Sequence, residues 1–310
     1  MTARDTFSPV ELVDPRARAA AERVTLERVG DQGFDAAYDL LEGYFGPRNE
    51  LEARGPLRSA LAAPWRHRSI VCRYHVVVAR DRRGEVLGVG DMFCSVDHER
   101  RLGVLRYSNF LVLPAARGSG VASLLDEGSE ALLRASLLSE GLAPETPSLV
   151  TSDIEPIDPT DLETWHRLRL WSRRGYRAVP YTAYPLRFLG PADPRDPTRQ
   201  TTLATTFAVV RAPAWRPQMR VIRRAELLAL VDADEASDLA LFAADEVYAS
   251  AARTRAAIVA AADPVELLPL PGEARTLSAL VPLLSRQASG GGAGDSASEL
   301  AALLARHGWG

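Results

Sequence analysis

The sequence contains no lysine, only two cysteines, and no apolar run that approaches the roughly 20 residues of a membrane span. All 37 basic residues are arginine, and asparagine occurs only at Asn49 and Asn109. Alanine, glycine and proline are plentiful, and this joint bias indicates a GC-rich coding sequence. Cys72 and Cys94 lie in apolar stretches without a C-x-x-C spacing, so we predict two buried thiols and no disulfide framework or metal site.

Charge and the first residues bear on partners and location. The formal net charge of −3 gives no basic excess with which to replace the counterions of nucleic-acid phosphates. Residues 1–15 carry charges of both signs and lack the apolar region of a signal peptide. We therefore expect a cytoplasmic protein that binds neither nucleic acid nor a membrane.

Hydrophobic periodicity divides the chain into three segments. Residues 1–22 are charged and read as an N-terminal arm, and residues 23–212 predict an α/β domain with the order β-α-α-β-β-β-α-β-α-β-β. Residues 213–310 predict a helical C-terminal extension, with a Gly/Ser-rich linker at 287–298. The strand order is a mixed α/β pattern, because it does not alternate as repeated βαβ units do.

The last strands of the α/β domain are the least regular in pattern. Residues 176–188 and 202–210 predict two strands, and a polar, proline-rich loop is expected between them at 190–200.

A strand, a glycine-containing loop and a helix follow one another at Val112 to Leu125. The strand ends at Pro114, and the segment Arg117-Gly118-Ser119-Gly120-Val121-Ala122 opens the helix. Glycines let a backbone approach a ligand closely, and a helix N-terminus presents the positive end of its dipole, so this arrangement suits a pyrophosphate. The alternative is a helix start tightened by two glycines without a ligand. The spacing is neither a Walker A motif nor G-x-G-x-x-G.

The pattern V-x-P-x-x-R-G-x-G-x-A resembles motif A of the GNAT (Gcn5-related) N-acetyltransferases. Downstream, the segment Arg167 to Arg177 with its Gly-Tyr pair looks like that family's F/L-Y-x-x-x-G-F element, and the resemblance spans roughly residues 23–211. It implies a GNAT fold with a mixed, mostly antiparallel sheet, and a site for acetyl-CoA or another acyl-CoA. The residues that it assigns to this site are Leu111, Val112, Leu113, Arg117, Gly118, Ser119, Gly120, Val121, Ala122 and Trp171.

The sequence departs from the family at Trp171. Many members carry a tyrosine there, which protonates the leaving thiolate, whereas an indole has no useful acid. Tyr176, Tyr181 and Tyr184 lie close in sequence, and Tyr184 is our candidate for the missing acid. The alternative is that these strand aromatics pack in the core.

Candidate bases are carboxylates near the place where the resemblance puts the acceptor amine, between two strands that splay apart. Glu155 is preferred, because it ends the strand after motif A and a carboxylate can deprotonate an amine. Asp91, inside an apolar strand, is the second candidate. The acidic residues of segment 153–163 would favour a cationic acceptor. For all of these, a solvated surface carboxylate is the alternative.

The resemblance implies an N-acyltransferase that moves an acetyl or other acyl group from acyl-CoA to an amine by direct attack. The acceptor would be a small molecule or a peptide, and a homodimer is left open. The alternative is an acyl-CoA-binding sensor or interaction module without turnover, which Trp171 and the C-terminal extension motivate. We expect the extension to shape the acceptor side and to leave the pyrophosphate loop untouched.

Overall fold

The computed structural model describes residues 5–9, 11–48, 50–154, 162–185, 189–193, 196–202 and 207–270. The strands are β1 (Asp5–Phe7), β2 (Val24–Arg28), β3 (Trp65–His67), β4 (Ile70–Asp81), β5 (Val86–Asp97), β6 (Leu102–Val112), β7 (Ser148–Ile154), β8 (Arg177–Ala178), β9 (Leu189–Asp193), β10 (Asp196–Thr202), β11 (Phe207–Arg211), β12 (Val221–Ile222), β13 (Val265–Glu266) and β14 (Leu268–Pro269). The helices are α1 (Pro15–Ala21), α2 (Asp31–Phe45), α3 (Arg54–Ala62), α4 (Val121–Ser139), α5 (Leu162–Arg173), α6 (Arg224–Asp238) and α7 (Ala244–Ala260), with short 3₁₀ turns at Gly46–Arg48 and Pro114–Ala116.

The central sheet is mixed and mostly antiparallel, as predicted. Its strands follow the order β1-β2-β4-β5-β6-β7-β11-β8-β14, with β3 paired to β4. Within the described residues, β6 and β7 form the parallel pair and the other neighbours are antiparallel. The β6–β7 register runs from Gly103–Ser148 to Tyr107–Ser152, whereas β6 stays paired with β5 as far as Val112. The two parallel strands therefore separate beyond Tyr107.

Helices cover both faces of the sheet. Successive residues of a strand point to opposite faces, and here both faces carry apolar side chains. In β4, Val77 and Ala79 pack into a core with α1, α4 and α5, whereas Val76 and Val78 pack into a core with α2 and α3. We call these the α4 face and the α2 face.

A bulge interrupts β6 where it separates from β7. Asp91 of β5 lies opposite Asn109, but the next residue, Met92, lies opposite Tyr107, so Ser108 is the extra residue. A bulge bends its strand and redirects side chains, and this one lies where β6 and β7 separate to form a cleft.

The C-terminal helices α6 and α7 pack on the α2 face. Leu227, Leu230 and Ile258 share a core with Leu102 and Val210 of the sheet. Strand β14 pairs with β8 and so forms one edge of the central sheet. Within the described part of the chain, no helix is long and apolar enough to cross a membrane.

The N-terminal arm has regular structure of its own. Strand β1 pairs with β2, and α1 follows with Asp14 as its N-cap, whose side chain accepts a hydrogen bond from Arg16 N–H at 2.8 Å. Pro15 occupies the first helical position, where its missing N–H costs nothing.

The strand predicted at 176–188 is wrong over most of its described part, because within residues 176–185 only Arg177–Ala178 forms a strand. The carbonyl of Pro180 accepts hydrogen bonds from the N–H groups of Ala183 and Tyr184, which makes a turn. The loop expected at 190–200 is also wrong, because β9 and β10 form an antiparallel pair there.

Candidate functional site

The loop between β6 and α4 has the geometry that its glycines predict. Gly118 and Gly120 have φ angles of +77° and +89°, a region that L side chains rarely adopt. Gly120 is the N-cap of α4, so the amides of the first helical turn lack carbonyl partners within the helix. Those amides and the positive end of the helix dipole favour an anion at this point.

A cavity of about 710 Å³ opens beside this loop. It extends from the start of α4 along the separated part of β6 to the end of α2, with α5 as another wall. A volume of this size suits a cofactor or a drug-sized ligand. Its lining includes Val13, Asp14 and Arg16 of the arm, Tyr44 and Phe45 of α2, Phe110 to Val112 of β6, Arg117, Gly118, Gly120 and Ala122 of the loop and α4, and Arg167, Arg169, Arg173 and Arg174 at α5.

The cavity lining is strongly cationic. Eight arginines line it against three carboxylates, Asp14, Asp126 and Glu127. Asp14 caps α1, and Glu127 accepts the N–H groups of Val13 and Asp14 at 2.6 Å each. Arg174 and Arg211 pair with Asp126, and Arg167 pairs with Glu50, so part of the positive charge is compensated within the protein. The excess of arginine over carboxylate in the lining favours a polyanionic ligand, and arginine suits phosphate in particular.

Asp126 organises the buried part of this charge. It accepts hydrogen bonds from Tyr107 at 2.7 Å and from Arg211 at 2.6 Å, and it pairs with Arg174. Burial opposes its ionisation, but Arg174 and Arg211 outweigh that effect and lower the pKa of Asp126. An ionised Asp126 therefore fixes two of the arginines that line the cavity.

Six of the residues assigned by resemblance line the cavity: Leu111, Val112, Arg117, Gly118, Gly120 and Ala122. The other four do not. Val121 is in the core on the α4 face, and Leu113 packs against the core on the α2 face. The hydroxyl of Ser119 donates to the carbonyl of Ala116 at 2.6 Å.

Trp171, the fourth, is a core residue. It is 6% exposed, and its ring centroid lies 4.7 Å from that of Tyr176 and 5.8 and 5.9 Å from those of Tyr107 and Phe110. The indole fills the space between the separating strands and the rest of α5, so a large side chain is needed here for packing.

Several residues that line the cavity were not predicted from the sequence. Arg169 and Arg173 are four residues apart on α5, a spacing that places them on one helix face and could have been recognised. The arm residues and Arg216 and Gln218 of the extension come from distant segments. The extension thus reaches the cavity, which we had not expected from the sequence.

Asp91 and Tyr184, two catalytic candidates, lie on the α2 face and outside the cavity lining. There a buried polar group surrounds Arg106, and we call it the acidic cluster. We include Asp91 in it because Phe93, two residues away on the same face of β5, lies opposite Arg106. Arg106 contacts Asp238 at 2.6 Å, Asp153 at 3.2 Å and Asp234 at 3.6 Å, and Tyr184 donates to Asp234 at 2.6 Å. Glu155, the preferred base, lies outside the described residues.

Asp91 holds the bulge of β6. Its carboxylate accepts hydrogen bonds from the Asn109 N–H and from the Tyr74 hydroxyl, both at 2.7 Å. Burial raises the pKa of Asp91 to about 6, against the lowering effect of these hydrogen bonds. Within the described residues, no three His, Cys, Asp or Glu side chains are grouped as a metal site.

Comparison with known proteins gives similarity to solved structures alone. No protein-family model matches the chain, and no curated protein matches it either. The chain is similar to solved structures of GCN5-related N-acetyltransferases. This is the family that its motif resembles.

Three of these structures show the extent of the similarity. A GCN5-related N-acetyltransferase from Kribbella flavida is 18% identical with a TM-score of 0.34, and the match covers 62% of this chain and 99% of that one. A putative acyl-CoA N-acyltransferase from Klebsiella pneumoniae is 14% identical with a TM-score of 0.33, covering 61% and 97%. The glucosamine N-acetyltransferase region of a fungal multi-domain β-N-acetylglucosaminidase is 14% identical with a TM-score of 0.37, and the match covers 50% of this chain but only 17% of that protein.

Proposed function

We propose that this protein is an N-acyltransferase that moves an acetyl or other acyl group from acyl-CoA to an amine. The observation that carries the proposal is the cationic cavity, which joins the glycine loop at the start of α4 to the opening between β6 and β7. The loop amides and the surrounding arginines would hold the pyrophosphate, and the rest of the acyl-CoA would lie along Phe110 to Val112.

The acyl group would pass directly to the amine. Both cysteines are buried and poor nucleophiles, because burial raises the pKa of the Cys72 thiol to about 12 and raises that of Cys94 as well. The amine nitrogen attacks the thioester carbonyl, the carbon–sulfur bond breaks, and the thiolate leaves and takes up a proton. Asp91 or Glu155 would serve as the base. Tyr184 lies outside the cavity lining and its hydroxyl donates to Asp234, so the thiolate would take up the proton that the amine releases.

A matched pair of substitutions at Gly118 tests the acyl-CoA site. A Cβ at Gly118 would meet no atom within 4 Å, whereas one at Gly120 would overlap the Arg16 carbonyl oxygen, so Gly118 is the cleaner position. Asp and Asn both tolerate a positive φ, and they differ mainly in charge.

We expect acyl-CoA to raise the melting temperature of wild type and of Gly118→Asn, and to bind Gly118→Asp roughly tenfold more weakly or worse. Calorimetry with acetyl-CoA and a longer acyl-CoA measures the affinities, and thiol release with a panel of amines measures turnover. Equal affinity of the Asp and Asn variants would place the phosphates elsewhere, and binding without thiol release from any amine would leave a sensor.

A further inference from the structure

Glu52 is a buried carboxylate that the residues around it leave incompletely paired. It lies between α2 and α3 and is 4% exposed. The hydroxyl of Tyr38 donates to its backbone carbonyl at 2.9 Å, but its side-chain Oε2 has no hydrogen-bond partner among the described residues. An unpaired buried carboxylate oxygen costs free energy, which a ligand with a donor could recover.

The charges around Glu52 are mostly negative. Tyr38, which donates to the backbone of Glu52, shares a core with Tyr74, and the Tyr74 hydroxyl donates to Asp91. The charges of Asp91, Arg106 and Asp238 all act on the Glu52 carboxyl, so we count Glu52 with the acidic cluster. Asp153 aside, the cluster has four carboxylates among the described residues, those of Glu52, Asp91, Asp234 and Asp238, and the described contacts place one arginine, Arg106, among them. Buried carboxylates without counter-charges must take up protons or bind a cation.

Protons already replace part of the missing counter-charge. Burial, followed by the charge of Asp91, raises the pKa of Glu52 to about 7, although Arg106 lowers it in part. Asp234 also has a raised pKa, because burial outweighs the effect of Arg106. A carboxylate whose pKa lies near neutrality can accept a proton and release it again.

The cluster adjoins the place where the acyl group would lie. Asp91 holds the backbone of Asn109 at the bulge, and the next residue, Phe110, lines the cavity. The glycine loop and α4 lie on the opposite face of the sheet from α2 and α3, the helices on either side of Glu52. A molecule that reached the bulge from the α2 face would therefore pass the acidic cluster first.

We propose that the acidic cluster, completed by Asp234 and Asp238 of the C-terminal helix α6, binds the ammonium group of a cationic alkylamine acceptor, and that Glu52 takes its proton. This inference rests on the proposed function and adds to it a base, a binding site and a role for the extension. An ammonium supplies both the positive charge and the hydrogen-bond donor that the site lacks.

The protons balance in two steps. The ammonium first gives one proton to the ionised carboxylate of Glu52, which yields a neutral amine beside the bulge. The amine nitrogen then forms the amide bond as the carbon–sulfur bond breaks, and its second proton goes to the departing thiolate. Glu52 afterwards returns its proton to solvent.

The experiment compares Glu52→Gln with wild type on two acceptors. 1,4-Diaminobutane is cationic and needs the base, whereas aniline is neutral at about pH 7 and does not. We expect Glu52→Gln to lose about 10²-fold in kcat with the diamine, to bind the diamine more weakly in calorimetry, and to keep its acetyl-CoA affinity and its turnover of aniline. In wild type, kcat at saturating diamine should decrease at acidic pH as Glu52 becomes protonated. In Glu52→Gln this decrease should be absent.

Two further variants complete the test. Glu42→Gln, at an exposed carboxylate of α2 that pairs with Arg54 at 2.9 Å, is the matched control and should behave as wild type. Glu52→Asp retains a carboxylate, so its kcat should be reduced but should still decrease at acidic pH. This variant provides the test if Glu52→Gln does not fold.

Equal losses with diamine and aniline would overturn the inference, as would a wild type that does not bind the diamine. A diamine that binds through Glu52 without release of CoA thiol would uphold the cation site and contradict the proposed transferase.

Discussion

At the scale of single residues, Asp91 is a buried acid whose ionisation opposes folding at neutral pH. Burial is the largest influence on its carboxyl and raises the pKa from 3.8 to about 6. Because the pKa in the folded state lies above the unfolded value, protonation favours the folded state. That stabilisation is complete below the unfolded pKa of 3.8 and is lost as the pH rises through about 6.

We therefore expect Asp91→Asn to gain stability relative to wild type as the pH rises. Between about pH 5 and about pH 7.5, the free energy of unfolding of wild type minus that of the variant should fall by about 1–2 kcal/mol. Chemical denaturation across this range measures the difference. Ser95→Ala, which changes a buried uncharged residue of the same strand, should give a constant difference. A constant difference for Asp91→Asn would contradict the raised pKa.

Which site residues can be predicted depends on how far apart they lie in the sequence. Arg117, Gly118 and Gly120 were predictable because one short segment forms the whole loop. The acidic cluster was not, since Arg106 and Asp238 are 132 residues apart and no local pattern pairs them. Trp171 was assigned to the cofactor by its place in a motif, but its aromatic packing partners are Tyr107 and Phe110 of β6 and Tyr176, which follows α5.

At the scale of elements, the N-terminal arm is fastened to the helix that begins at the glycine loop. The carboxylate of Glu127 on α4 accepts the N–H groups of Val13 and Asp14, and Arg23 donates to the carbonyl of Ser119 at 2.7 Å. The same arm residues line the cavity, so docking of the arm and binding of acyl-CoA should depend on one another.

Glu127→Gln removes the charge from this contact and presents an amide donor to one of the two N–H groups. We expect the free energy that favours the docked position of the arm to fall by about 1–3 kcal/mol. Limited proteolysis should then cleave within residues 1–22 faster than in wild type, acyl-CoA should bind several-fold more weakly, and saturating acyl-CoA should slow the cleavage. Glu11→Gln, at an exposed residue of the same arm, is the control. Cleavage at the wild-type rate would show that Glu127 does not hold the arm.

The elements that were missed or predicted wrongly differ in how clearly the sequence indicates them. The pair Asp14-Pro15 is a helix start, an N-cap followed by proline at the first helical position, and it could have predicted α1. The early end of β8 was harder to predict, because a proline such as Pro180 is tolerated at sheet edges as well as in turns. Periodicity succeeded for the long strands β4 to β6, whose alternation is fixed by cores on both faces.

At the scale of the whole molecule, the C-terminal helices and the sheet share one core. Four large apolar side chains on the sheet, Leu102, Val104, Leu149 and Val210, are buried in the cluster that contains residues of α6 and α7. Other contacts join the same parts, since Trp65 donates to the Ala236 carbonyl at 2.8 Å and Ser172 to that of Leu270 at 2.9 Å. Residues of the extension also line the cavity, so its removal would affect both sides of the cleft.

Truncation after Ala212 should therefore prevent folding of the remaining chain as a soluble monomer. Exposure of the four apolar side chains alone would cost roughly 6–12 kcal/mol, which is comparable with the whole stability of a typical domain. Size-exclusion chromatography and thermal unfolding measure the outcome, with truncation after Leu270 as the control that retains every contact described above. Because Arg216 and Gln218 are also lost, a truncated chain that still folded should bind acyl-CoA more weakly. A soluble, cooperatively unfolding truncation with wild-type affinity for acyl-CoA would show that residues 23–212 form an independent unit, and α6 would then be needed for the acceptor alone.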